Sequence, residues 1–269
     1  MPLTFSHPAA VLPLRRWRLV FSALVVGSMA PDFEYFFALV RSVSHSFPGV
    51  ITFTFPLALA VLIIFHELVK WPVISLLPRG MQARMVGPAR RFRWWPPSRL
   101  LLVMVSLAIG IATHLFWDAF THPDGWAVIH WPTLRSAVIV FPHRRVPFHL
   151  LLQNSGTALG LLAVALSFAR WYRHAPQDDV APHPQFSPAI KWAILSAMVA
   201  TAVVLGLVNG ADWYGSLLQA DSQRTRFVFG SMIAAITVGF IELFGFGLIW
   251  RAFLARDTAG AAAQAGRPS

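Results

Sequence analysis

Apolar residues along this chain gather into long unbroken runs instead of alternating with polar ones. A helix needs ~20 mostly apolar residues to cross a bilayer, and five segments reach that length: 47–66, 99–120, 148–169, 188–209 and 227–250. A sixth, 19–40 (LVFSALVVGSMAPDFEYFFALV), is long enough but carries Pro31, Asp32 and Glu34 in its interior. Proline removes a backbone donor and kinks or ends a helix, so this segment is expected as two half-elements. The pattern predicts an all-α, polytopic transmembrane helical bundle of five to six membrane segments. Residues 1–170 form its membrane domain, 171–187 (containing APQDDVAPHPQFS) a polar linker, 188–256 a C-terminal helix pair, and 257–269 a disordered tail.

Composition agrees: 56% of the 269 residues are hydrophobic and 12% charged, far from the balance of a soluble domain. The net charge of +11 would suggest nucleic acid in a soluble protein. Here the basic residues lie between apolar runs, which points to membrane orientation and anionic lipid, and no nucleic-acid partner is expected. Counting six crossings leaves Arg41, Arg135, Arg144, Arg145, Arg224 and Arg226 on one side and the other 16 of the 22 Lys and Arg residues on the opposite one. By the positive-inside rule both termini are then cytoplasmic, in a bacterial inner membrane. The large basic loop expected at 67–98, with Trp94 and Trp95, falls on the same face at headgroup depth, against anionic lipid headgroups. The N-terminal basic cluster follows its apolar stretch, the reverse of a secretory signal, so the segment is expected to be retained.

The absence of cysteine excludes disulfides and thiolate metal ligands, leaving His and carboxylates for any metal site. In THLFWDAFTH, His114 and Asp118 stand four residues apart on one helix face. Such a pair can bite one divalent cation, and its donors suit Zn, Mn or Fe. Ionisable residues in a membrane segment point to function because unpaired burial is costly. MAPDFEYFF offers Asp32 and Glu34 at the break in the first apolar segment; a helix cap explains Asp32 locally as well. SVSHSFPG offers His45 just before the next run. FSHPAAVLPL offers His7, which reaches the others only if residues 7–18 and 19–31 form a hairpin dipping into the membrane. That arrangement competes with a simple sixth crossing. Glu242 lies alone in the last apolar segment, and HELVK at 66–70 lacks the second His of a zincin. Gly156 and Gly160 make a small-xxx-small spacing suited to close packing.

Taken in order, S-H-P-A-A, G-S-M-A-P-D-F, S-H-S and T-H-L-F-W-D-A-F-T-H resemble the bacterial domain-of-unknown-function 4184 family of membrane proteins. The resemblance covers most of residues 1–170, including LLQNSGTALGLL, and weakens beyond about 175. The same order is similar to that of LexA-regulated, membrane-bound metal-dependent hydrolases. More distantly it is similar to zinc-dependent phospholipase C, an all-helical enzyme with a His/Asp metal cluster. The resemblance implies His7, Asp32, His45, His114 and Asp118 as metal ligands. The phospholipase's second pair, H-x-x-x-E, has no counterpart here, and His122, His130 and His143 are the histidines left to stand in for it.

The leading expectation is a membrane-embedded hydrolase with one or two divalent ions, Zn first and Mn or Fe as alternatives. It would act on a phosphodiester or lipid-like substrate through metal-activated water. Asp118 and Glu34 are its catalytic candidates, Glu34 as general base or as orienter of a ligand imidazole. A second reading, favoured by the broken first segment and Glu242, is a transporter that binds and releases a cation or proton. A third is a non-enzymatic structural or assembly protein whose cluster is a helix-packing network.

Overall fold

The computed structural model describes residues 3–37, 44–141, 144–178, 186–213 and 223–265. In chain order, a short helix α1 (Pro8–Val11) precedes α2 (Phe21–Met29), which runs into a 3-10 stretch, Ala30–Phe37. A long helix α3 (Phe47–Leu76) follows, then α4 (Arg79–Arg91), α5 (Pro97–Thr121), α6 (Trp126–His130) and α7 (Pro132–Arg135). A β-hairpin, β1 (Ala137–Phe141) with β2 (Arg144–Pro147), leads into α8 (Phe148–His174), α9 (Pro188–Trp213) and α10 (Gln223–Ala265). The bundle is all-α apart from that hairpin, in which Ala137 pairs with Pro147 and Val138 with Val146.

Among the described residues, five helical segments are long and apolar enough to cross a membrane: Phe47–Leu76, Pro97–His130, Phe148–His174, Pro188–Asn209 and Phe227–Leu254. The segment 19–40 is not one of them. Pro31 lacks the N–H that the carbonyl of Gly27 would take in a continuing helix, and α2 stops after nine residues. Nine residues span only about 14 Å, half a bilayer core. The segment 67–98, read above as a basic connection, is largely helical: α3 continues to Leu76 and α4 occupies most of the remainder. Within α3, Val50–Thr54 and Phe65–Val69 are π-helical. Each holds the residue four before a proline, Thr52 before Pro56 and Leu68 before Pro72. A proline ring collides with that carbonyl, and the wider turn relieves the collision.

The chain divides into two compact units. The first comprises residues 1–34, 40–62 and 93–174. Its centre is a parallel pairing of α2 with α5 in which residues 86 apart meet. The Val20 N–H donates to Ser106 Oγ at 2.9 Å, and the Ser28 carbonyl lies 2.8 Å from His114 Nδ1. Gly110 sits against Leu24 at the same offset, and its added Cβ would also lie 2.7 Å from the Ser28 nitrogen. Leu24, Val103, Leu107 and Ile111 are buried around this contact. The N-terminal arm runs back along α8: Leu3 N–H donates to Thr157 Oγ1 at 3.3 Å, Ser6 packs on Gly160, and Arg15 donates to Ser167 Oγ at 2.9 Å. Residues 3–29 thus form a hairpin with its bend near Trp17.

The second unit comprises residues 35–39, 63–92 and 175–269. There α9 and α10 pack along their length, with Gly206 against Ser231 and Ala235. Ile233 and Ala234 bury against Tyr35 and Phe36. Helix ends are tied by buried polar heads: Lys191 Nζ donates to Leu77 O at 2.9 Å, and Gln82 Nε2 to Ser75 O at 2.7 Å.

Candidate metal centre

The centre is assembled in the first unit around the last turns of α5. His114 and Asp118, one turn apart, both face the buried side. The fixed register of α2 on α5 brings the Ser28 carbonyl, in the last turn of α2, to His114. His114 Nδ1–H donates to it at 2.8 Å. A neutral imidazole that donates from Nδ1 keeps its lone pair on Nε2. That nitrogen faces Asp32 Oδ1 at 3.6 Å and Asp118 Oδ2 at 3.4 Å. Asp32 reaches this position because the chain turns at Pro31 into the 3-10 stretch.

His45 arrives from the start of α3. Its Nε2 lies 3.3 Å from Asp118 Oδ2, and its Nδ1 lies 2.6 Å from Ser44 Oγ and 3.7 Å from Glu34 Oε1. The two serines around it divide the local work. The Ser44 carbonyl accepts from Thr54 Oγ1 at 2.9 Å, tying the segment to α3. Ser46 Oγ caps that helix by accepting from the Gly49 N–H at 3.1 Å.

The N-terminal arm delivers His7, whose ring stacks on that of His114 with centroids 3.8 Å apart. Its Nε2 is 4.0 Å from Asp118 Oδ1.

Asp32, His45, His114 and Asp118 each offer one ligand atom, and these atoms all lie within 4.8 Å of one another. His7 Nε2, Asp32 Oδ2 and His114 Nε2 are buried without a hydrogen-bond partner among the described residues. Lone pairs on nitrogen and oxygen therefore point toward common space. Such an arrangement is costly in a buried site unless cations or protons lie between the groups. Two imidazoles and two carboxylates at this separation are a donor set that could hold a divalent ion.

A family model described as Domain of unknown function (DUF4184) matches residues 1–249. The chain belongs to this family. The match runs well past residue 175, where the motif resemblance weakens, and takes in α9 and most of α10. The family's description names no activity. No curated protein and no solved structure matches the chain significantly, so the likeness to hydrolases rests on motif order alone.

In this DUF4184 member the cluster brings together all six residues that the sequence marks as ligand or catalytic candidates: His7, Asp32, Glu34, His45, His114 and Asp118. His122, left open by the sequence, joins them: it is buried, with Nδ1 3.3 Å from Asp118 Oδ2. Its spacing of four from Asp118 was the signal. Ser28 and Ser44, which hold two of the imidazoles, had no local signal. His130 lies elsewhere, exposed, stacked on Trp126 and hydrogen-bonded to that residue's carbonyl at 2.7 Å. His143 lies outside the described residues. Glu242 belongs to α10 in the second unit. His66 of HELVK, in that unit too, stacks on Phe92 at 3.4 Å.

Proposed function

We propose that this chain is a metal-dependent hydrolase of the bacterial inner membrane that cleaves a phosphodiester or similar bond in a lipid-like substrate. The observation that carries the proposal is the set of four ligand atoms from Asp32, His45, His114 and Asp118, within 4.8 Å of one another. The Ser28 carbonyl commits His114 Nε2 to this set. Zn is the first expectation, with Mn or Fe as alternatives. When bound, such an ion lowers the pKa of water towards ~7 and polarises a substrate oxygen.

The chain's own residues supply the rest. Glu34 is fully buried with Oε1 3.7 Å from His45 Nδ1, which favours a role in orienting that imidazole over direct proton abstraction. Asp118 sits where it can ligate the ion and, through Oδ1, face His7. An amphiphilic substrate is supported by the position of the cluster, near the end of a helix long and apolar enough to span. The hairpin bend with Arg15, Arg16 and Arg18, beside the end of α8 with Arg170 and Arg173, supports a cytoplasmic placement of that end. Exposed Trp95, two residues after Arg93 in the sequence, supports contact of the 67–98 segment with anionic headgroups.

The test is elemental analysis of the purified protein in detergent, repeated with His114→Ala and Asp118→Ala, followed by hydrolysis assays on phosphodiester and ester lipids. Near-stoichiometric metal in wild type that is lost in both variants, with matching loss of hydrolysis, is the expected outcome. Equal trace metal in all three removes the metal reading. Metal without hydrolysis turns the interpretation towards cation transport.

A further inference from the structure

The backbone at the end of α5 sets the position of His122. The helix ends at Thr121, and His122 leaves it with φ −100° and ψ 145° while its N–H still donates to Asp118 O at 3.1 Å. Gly125 N–H then donates to His122 O at 2.9 Å, folding the His-Pro-Asp-Gly turn back over the helix end. A Cβ at position 125 would lie 2.7 Å from the Asp118 carbonyl oxygen, so only glycine allows the turn to sit this close. The imidazole of His122 is thereby held over Asp118 from outside the helix.

Three imidazoles converge on Asp118 Oδ2. His45 and His114 approach through Nε2 at 3.3 and 3.4 Å, and His122 through Nδ1 at 3.3 Å. His122 is not among the four residues whose ligand atoms lie within 4.8 Å of one another. Its Nε2 is buried and makes no hydrogen bond among the described residues.

We infer that His122 is a positioning residue for the ion site, its Nδ1–H donating to Asp118 Oδ2 and holding the carboxylate in the orientation that it shares with His45 and His114. The inference rests on the metal reading above. A carboxylate on a helix can swing about its side-chain bonds, and a donor outside the ligand set restricts that swing before an ion arrives. Partners of this kind typically contribute 10–100-fold in metal affinity.

The experiment uses the full chain in detergent, stripped of metal and titrated with zinc alone against a chromophoric chelator. His122→Ala is expected to weaken zinc binding about 10–100-fold. His122→Asn, whose amide N–H replaces Nδ1–H, stays within about 3-fold of wild type, whereas His122→Gln, whose amide replaces Nε2, behaves like alanine. Thermal unfolding of the metal-free variants confirms that each is folded. Unchanged affinity in His122→Ala overturns the inference, as does rescue by glutamine in place of asparagine, which would make Nε2 the working atom. A wild-type protein that binds no zinc removes the metal reading along with this one, so the two failures are told apart by the wild-type titration.

Discussion

Both units bury polar side chains, but they bury them on different terms. In the second unit the head groups end on helix carbonyls. Lys191, 8% exposed, donates to Leu77 O, Lys70 to Ala89 O at 3.1 Å, and Gln82 to both Ser75 O and Leu77 O. These carbonyls lie at helix C-termini, which lack partners and attract donors. Burial there completes the backbone. In the first unit four imidazoles and three carboxylates meet, and His7, His114 and His122 each keep an Nε2 without a hydrogen bond among the described residues. Burial there leaves capacity over, which an ion can take up. Ser231 and Glu242 on α10, each with one unbonded oxygen among the described residues, and buried His66, which stacks on Phe92, interrupt the contrast. What separates the two sets of buried polar groups is satisfaction, since depth of burial is shared by both.

The contrast can be broken most sharply at Asp118. Asp118→Asn keeps the shape but removes the charge, and zinc affinity should fall at least about 100-fold while the protein still folds. A titration against a chelator checks it, and wild-type affinity would place the cluster with the structural groups of the second unit. Next in size is Gly110→Ala. Its Cβ would collide with the backbone of α2 at Leu24 and Ser28, costing about 2–3 kcal/mol by overpacking and displacing the carbonyl that holds His114. Thermal unfolding and zinc content should fall together. Gly239→Ala is the control: nothing lies within 4 Å of its added Cβ, and helix propensity predicts a gain of up to about 1 kcal/mol.

Lys191→Met should cost about 0.5–1.5 kcal/mol, because it removes one of the two donors to the Leu77 carbonyl and leaves Gln82 as the other, yet leave metal content untouched. Loss of metal in that variant would mean that the two kinds of burial are coupled. The smallest effect belongs to Arg251→Ala. Its pair with Glu67, at 3.4 Å, has side chains 56% and 45% exposed, so the change should stay within about 0.5 kcal/mol by thermal unfolding.

Much of this was legible along the chain. Five spans follow from run length, and the end of α2 follows from Pro31, because a missing N–H acts locally. His114 and Asp118 follow from helical period. The prolines at 56 and 72 were equally visible, but their outcome, two π-helical stretches within a continued helix, depends on how neighbours absorb a clash. The β-hairpin 137–147 is not legible within a short connection, since four or five residues of strand carry little periodic signal. Which of His122, His130 and His143 approaches the cluster was also undecided. His122 and His130 both follow α5 closely, and only the tight turn at Gly125 sends one inward while the other stacks on an exposed Trp126.

By itself, then, the sequence determined what depends on neighbours a few residues away: a membrane protein of helices, where they run, and one His-Asp pair on one face. The tertiary structure decided everything that required distant residues to share a register. The parallel pairing of α2 with α5 sets Ser28 against His114, and the return of the N-terminal arm along α8 stacks His7 upon it. Both depend on close backbone approach at Gly110 and Gly160. Such approach is a property of two surfaces meeting, which no stretch of one chain can specify alone.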